Sequence, residues 1–118
     1  MDSCQDNLVY ILSIVRKGIN SLARKDLIET LSKLGIPQSN QNTKRLSNSV
    51  TQVVLSRLLD ELSQSQIYAV FEDVGLQQVK PNRRIGAFKS YFAKNLSLQD
   101  SLLDLLANKL ENTTNVKV

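Results

Sequence analysis

Histidine is absent from the 118-residue chain, and cysteine occurs once, as Cys4. Histidine is the commonest general base near neutral pH and a frequent metal ligand, and one cysteine can form neither an internal disulfide bond nor a zinc site. The four glycines are dispersed, so no glycine-rich phosphate loop occurs. We therefore expect a protein that is not an enzyme and has no metal, no cofactor and no small-molecule substrate.

Long apolar runs are also absent. The most apolar stretch near the start, residues 8–15, is much shorter than the ~20 residues that span a bilayer. Acidic Asp2 and Asp6 precede it, where a secretory signal would carry positive charge. These features predict a cytoplasmic protein without a membrane partner.

Proline and glycine are scarce, and apolar residues recur at the i, i+3, i+4, i+7 spacing of amphipathic helices. No alternating strand pattern occurs. The pattern predicts a compact all-α bundle or array of about six helices in a single domain over residues 1–111, followed by a loose tail over 112–118. The expected helices cover about 7–18, 24–34, 43–62, 64–74, 82–95 and 98–110.

Several residues mark where these helices begin and end. Gly35 ends the second helix, and Gly75 ends the fourth. Two polar loops, 38–42 and 77–81, precede the third and fifth helices, and Thr43 is the expected cap of the third. Capping-box spacings open the fourth and sixth helices, at Ser63 with Gln66 and at Ser97 with Asp100.

One sequence pattern occurs twice in the chain. Apolar residues and a glycine recur 40 positions apart: Leu22, Leu27, Leu31, Gly35 and Ile36 match Leu62, Ile67, Phe71, Gly75 and Leu76. The basic pair Lys44-Arg45 then matches Arg83-Arg84 at an offset of 39. Two similar helix-loop-helix halves would explain this recurrence. The alternative is chance similarity, because leucine is common in helices and glycine commonly ends them.

The 15 Lys and Arg exceed the 11 Asp and Glu, which gives a formal charge of +4. Five cations stand at or near predicted helix C-termini, where the helix dipole favours them: Arg16, Lys17, Lys33, Lys94 and Lys109. Five cations at or just before helix N-termini have no such explanation, and three neutral hydrogen-bonding residues lie beside them. The eight residues are Lys44, Arg45, Lys80, Arg83, Arg84, Asn42, Thr43 and Asn82.

We interpret these residues as a nucleic-acid-binding site, because N–H groups and cations at a helix start can converge on a phosphate. A solvated charge cluster is the alternative. Backbone contacts are favoured over base reading, since the break over 35–42 exceeds the 3 to 4 residue turn of DNA-reading helix-turn-helix motifs. The inward residues expected on the fifth helix are Ile85, Phe88, Tyr91 and Phe92, so its three aromatic residues have core spacing rather than the arrangement of a stacking platform.

The segment Leu27–Arg45, with Gly35-Ile36-Pro37 at its centre, resembles SAP-type helix-extended-loop-helix DNA-binding modules. That resemblance implies that Lys44 and Arg45 face DNA. By size, charge and helical character the chain is also similar to small helical-bundle subunits of CRISPR effector complexes. This second resemblance implies a subunit that binds strands within a larger nucleoprotein complex.

Six short helices also resemble death-fold domains. This leaves a second interpretation open, a protein–protein interaction module that acts as an adaptor or as an inhibitor of another protein. The leading interpretation is a non-catalytic protein that binds the phosphate backbone of DNA or RNA together with protein partners.

Overall fold

The computed structural model describes residues 3–36, 41–75 and 83–114. Within these ranges the chain forms six α-helices and no β-strand, which confirms the all-α prediction. The helices are α1 (Ser3–Lys17), α2 (Arg24–Lys33), α3 (Thr43–Glu61), α4 (Gln64–Val74), α5 (Arg84–Lys94) and α6 (Gln99–Thr114). Two 3-10 turns, Ile19–Ser21 and Leu96–Leu98, precede α2 and α6.

The described residues form two compact units, one up to Arg57 and one from Leu58 onward, so α3 contributes to both. The single domain expected over residues 1–111 stays a prediction.

The first unit has a core built from one apolar face of each helix. Its buried residues recur at the helical spacing expected from the sequence, and each fully buried Leu or Ile side chain stabilises the fold by roughly 1.5 to 3 kcal/mol. They include Leu8, Ile11, Leu12, Val15, Ile19, Leu27, Leu31, Leu34, Leu46, Val50 and Val54.

Polar side chains link α1 to α2 at the edge of this core. The Thr30 hydroxyl donates to the Asp26 carbonyl oxygen at 2.8 Å, so its single proton is used and it accepts from the Tyr10 hydroxyl at 3.1 Å. The Lys33 ammonium lies 4.6 Å from the centre of the Tyr10 ring and 3.6 Å from a Glu29 carboxylate oxygen. A surface pocket of about 150 Å³ lies beside these groups.

Glycines end α2 and α4 as predicted. Gly35 has φ +77° and Gly75 has φ +79°, a conformation that other residues adopt only with strain. After α2, the Ile36 N–H donates to the Leu31 carbonyl at 2.9 Å and the Gly35 N–H to that of Ser32 at 3.1 Å. This is the Schellman arrangement.

The predicted capping box forms at the start of α4 in the second unit. The Gln66 N–H donates to Ser63 Oγ at 3.3 Å, and the Ser63 N–H donates to Gln66 Oε1 at 2.7 Å. The same Gln66 side chain donates to the Lys109 carbonyl at 3.0 Å, and the Lys109 ammonium lies 3.5 Å from Asp73. One polar network therefore caps α4 and ties it to α6.

Two phenylalanines lie at the centre of the second unit. The rings of Phe71 and Phe88 stack with centroids 5.8 Å apart, and Phe88 and Phe92 are fully buried. The Gln99 side chain donates to the Phe92 carbonyl at 3.2 Å inside this core. The core role predicted for Phe88 and Phe92 is confirmed, whereas Tyr91 is partly exposed.

Three local predictions are wrong. The cap of α3 is Asn42 rather than Thr43, because the Asn42 side chain accepts the third N–H of the helix. Ser97 lies inside the turn Leu96–Leu98, two residues before α6 begins at Gln99, and is not the residue immediately before the helix. Ile85, placed among the inward residues of the fifth helix, is 46% exposed because Phe88 and Phe92 fill the buried face of α5.

The sixth helix is longer than predicted. Helix α6 continues to Thr114, past the point where the loose tail was expected to begin, and residues 115–118 lie outside the described residues. Residues 38–40 of the first predicted polar loop and all of 77–81 lie outside them as well.

Candidate nucleic-acid interface

The first candidate site is the start of α3. Asn42 Oδ1 accepts the Arg45 N–H at 2.8 Å, and the Asn42 carbonyl accepts the Leu46 N–H at 3.0 Å. Asparagine is among the strongest N-cap residues because its short side chain reaches these donors. The cap fixes the direction in which Thr43, Lys44 and Arg45 enter the helix.

The first turn of α3 has one buried side chain and three exposed ones. Leu46 is 1% exposed and fixes the turn to the core of the first unit. The side chains of Thr43, Lys44 and Arg45 are exposed, and the first turn of α3 contains no acidic residue. Within the described part of the chain, no carboxylate lies within ion-pairing distance of Lys44 or Arg45.

The second candidate site is the start of α5. Arg83 is the residue before the helix, with φ −114° and ψ 5°, and no side chain caps the helix there. Arg83 is exposed, and the first turn of α5 also lacks an acidic residue. The Arg83 side chain therefore occupies none of the N-terminal N–H groups of α5.

The remaining predicted site residues are described only in part. Lys80 and Asn82 lie outside the described residues, and for Arg84, the first residue of α5, only the backbone is described. The structure brings Asn42, Thr43, Lys44 and Arg45 together in one turn of the first unit. Arg83 and Arg84 belong to the second unit.

Acidic residues are missing around both helix starts. No Asp or Glu occurs from residue 30 to 59 or from 74 to 99, and these two segments hold four and five of the chain's 15 Lys and Arg residues. The interval between them, 60–73, holds four acidic residues and no Lys or Arg. The positive charge is therefore concentrated along the segments that contain the two candidate sites.

A third basic pair provides a contrast. Arg24 and Lys25 begin α2 and are exposed, but Asp26 shares their first turn. The sequence pattern did not single out this pair, nor did it single out Lys89, which is exposed on α5 within the acid-free segment 74–99. The cations of the two candidate sites and Lys89 lie in long segments without an acidic residue, whereas Arg24 and Lys25 have Asp26 beside them.

Neither a cluster of metal ligands nor a membrane span is found among residues 3–36, 41–75 and 83–114. No group of three or more metal-ligating side chains lies close together among them. None of the helices formed by these residues has the length and apolar character needed to cross a bilayer.

Comparisons with protein-family models, with curated proteins and with solved structures returned no match for this chain. The resemblances to SAP-type modules, CRISPR small subunits and death-fold domains therefore stay predictions.

Proposed function

We propose that this protein is a non-catalytic nucleic-acid-binding protein that contacts the phosphate backbone through the first turns of α3 and α5. The observation that carries the proposal is the exposure of Lys44, Arg45 and Arg83 at helix starts without an acidic residue in either first turn. We include Lys80, Asn82 and Arg84 in the proposed interface from the sequence alone.

The helix dipole supports this proposal. Each cation at an exposed helix N-terminus costs about 0.3 to 1 kcal/mol, and a bound phosphate reverses the sign of that term. At α3 the Arg45 N–H is already used by Asn42, so the side chains and the earlier N–H groups would bind the phosphate. At α5 the Arg83 side chain does not occupy the first N–H groups of the helix.

Backbone recognition is favoured over base reading. Phe88 and Phe92 are fully buried and cannot stack on bases. The contacts available at both sites are cations and N–H groups, which bind phosphates of DNA and RNA alike. The proposed role is that of a cytoplasmic subunit of a larger nucleoprotein complex, similar to the small subunits of CRISPR effectors.

The test is fluorescence anisotropy with labelled duplex DNA, single-stranded DNA and RNA over a series of salt concentrations. Replacing Lys44, Arg45, Arg83 and Arg84 with Ala is expected to weaken binding and to flatten the plot of log K against log salt. On duplex DNA the slope should fall by roughly 0.9 for each phosphate that the variant no longer neutralises.

The matched control replaces Arg24 and Lys25 with Ala. This pair also stands at a helix start, but Asp26 neighbours it, so affinity and slope should stay close to those of the unaltered protein. No binding to any of the three nucleic acids at low salt would exclude the proposed function. Equal losses of affinity per cation removed, four in the first variant and two in the control, would show that only net charge matters.

A second candidate function is a protein–protein interaction module. It is favoured by three exposed large apolar residues of the second unit, namely Ile85, Leu96 and Leu98. Leu96 is the most exposed of them at 69%, and Leu98, in the same turn, is 42% exposed.

A further inference from the structure

The surface pocket of the first unit is lined by one face of α1 and one face of α2. Residues three or four positions apart share a face of a helix, and the lining residues of both helices have this spacing. Helix α1 contributes Tyr10, Ile14 and Lys17, and α2 contributes Asp26, Glu29 and Thr30. Leu22, in the segment between the two helices, completes the lining. We call this cavity of about 150 Å³ the α1–α2 pocket.

Two hydroxyl groups connect the helices at this pocket. The Thr30 hydroxyl donates to the Asp26 carbonyl at 2.8 Å and accepts from the Tyr10 hydroxyl at 3.1 Å. Both hydroxyl protons are therefore used, and these oxygens can offer an occupant only their lone pairs. Thr30 is 1% exposed, so the bond between the helices is shielded from water and holds the lining in place without a ligand.

Charges of opposite sign line the two sides of the pocket. The Lys17 ammonium belongs to α1, whereas the carboxylates of Asp26 and Glu29 belong to α2. Within the described part of the chain, neither Lys17 nor the Asp26 carboxylate forms an ion pair. Glu29 lies 3.6 Å from Lys33, but both side chains are more than half exposed, so this pair is weak. The charged groups of the pocket can therefore pair with a ligand.

The remaining lining is apolar. Ile14 is 4% exposed, and Leu22 is half-buried. A cavity of this volume accommodates roughly six to eight non-hydrogen atoms, since an engineered cavity of the same size in another protein binds benzene. The pocket therefore suits a small molecule with one positive group, one negative group and a short aliphatic part.

We propose that the α1–α2 pocket binds a free α-amino acid with a small aliphatic side chain. The ammonium group lies against Asp26 and Glu29, and the carboxylate lies against Lys17. The side chain covers Ile14 and Leu22. None of these residues belongs to the proposed nucleic-acid interface, so this proposal is independent of nucleic-acid binding.

Other small molecules fit the pocket less well. A phosphate or a simple carboxylate would pair with Lys17 but would be repelled by Asp26 and Glu29. A diamine would pair with the two carboxylates but would bring a positive charge close to Lys17. An uncharged apolar molecule would leave all three charged groups without a partner. Only a ligand with both charges complements both sides of the pocket.

Titration of the full chain with L-valine, followed by ¹H–¹⁵N NMR spectra, tests the proposal. Saturable shifts are expected at the backbone amides of Ile14, Lys17, Leu22 and Asp26, with a dissociation constant in the millimolar range because exposed ion pairs are individually weak. Isobutylamine and isovalerate each carry one of the two charges of valine on a similar aliphatic group. Each should bind about two- to fivefold more weakly than valine, the factor for losing one exposed ion pair.

Two variants assign the charges of the ligand to the two sides of the pocket. Lys17→Gln should weaken valine binding about two- to fivefold without weakening isobutylamine binding, because the amine makes no contact with Lys17. Asp26→Asn should weaken valine binding by a similar factor without weakening isovalerate binding. A purely structural role of either residue would instead lower the affinity for all three ligands. Circular dichroism checks that both variants keep their helices.

The matched control is Lys25→Gln, which removes a cation beside Asp26 on α2 from a residue that does not line the pocket. It should bind valine like the unaltered protein. Valine titrations without saturable shifts, or with shifts only outside the pocket, would overturn the proposal. Equal affinity for valine, isobutylamine and isovalerate would also overturn it, as would an equal loss in the Lys25 and Lys17 variants.

Discussion

Gly35 and Gly86 have different backbone conformations, so the same substitution has opposite expected effects. Gly35 ends α2 with φ +77°, and a Cβ built there meets no atom within 4 Å, so strain would come from the backbone alone. Gly35→Ala should lower the free energy of unfolding by about 1 to 2 kcal/mol. Urea denaturation followed by circular dichroism measures this change.

Gly86 provides the matched comparison. It lies within α5, and a Cβ built on it also meets no atom within 4 Å. Because alanine favours the helix more than glycine does, Gly86→Ala should raise the free energy of unfolding by about 0.5 to 1 kcal/mol. Destabilisation by both substitutions would contradict the conformations assigned to the two glycines.

The start of α3 allows its stability to be separated from its proposed binding role. Asn42→Asp keeps an oxygen that can accept the Arg45 N–H and adds a negative charge that the helix dipole favours. The free energy of unfolding should therefore stay equal or rise slightly. The new charge beside Lys44 and Arg45 should weaken nucleic-acid binding and lower the salt slope by about 1 on duplex DNA.

Two other substitutions at Asn42 complete this test. Asn42→Ser keeps a neutral cap and should preserve both stability and binding, whereas Asn42→Ala should cost about 1 kcal/mol of stability. Affinity that follows stability across the three variants, rather than charge, would argue against phosphate contacts at this turn.

Helix ends were predictable from the sequence where only one nearby residue could form the cap. Gly35 and Gly75 end their helices at positive φ, and Ser63 with Gln66 forms the capping box. The start of α3 was ambiguous because Asn42 and Thr43 are adjacent and both can cap a helix. Only the orientation of the side chain relative to the Arg45 N–H decides between them.

Periodicity could not determine which apolar residues would be covered. Ile85 keeps helical spacing with Phe88 and Phe92, yet it lies at the edge of the buried face and is 46% exposed. Leu96 and Leu98 alternate within a 3-10 turn that precedes α6, where α-helical spacing does not apply.

The candidate nucleic-acid site was predictable in part because charge is a property of sequence. Lys44, Arg45 and Arg83 were identified by their positions near helix starts, and all three are exposed. The same reasoning missed Arg24 and Lys25 because the neighbouring Asp26 makes their local charge less conspicuous. Adjacent basic residues in the sequence therefore identify candidate phosphate-binding cations. The positions of Asp and Glu residues along the chain then rank these candidates.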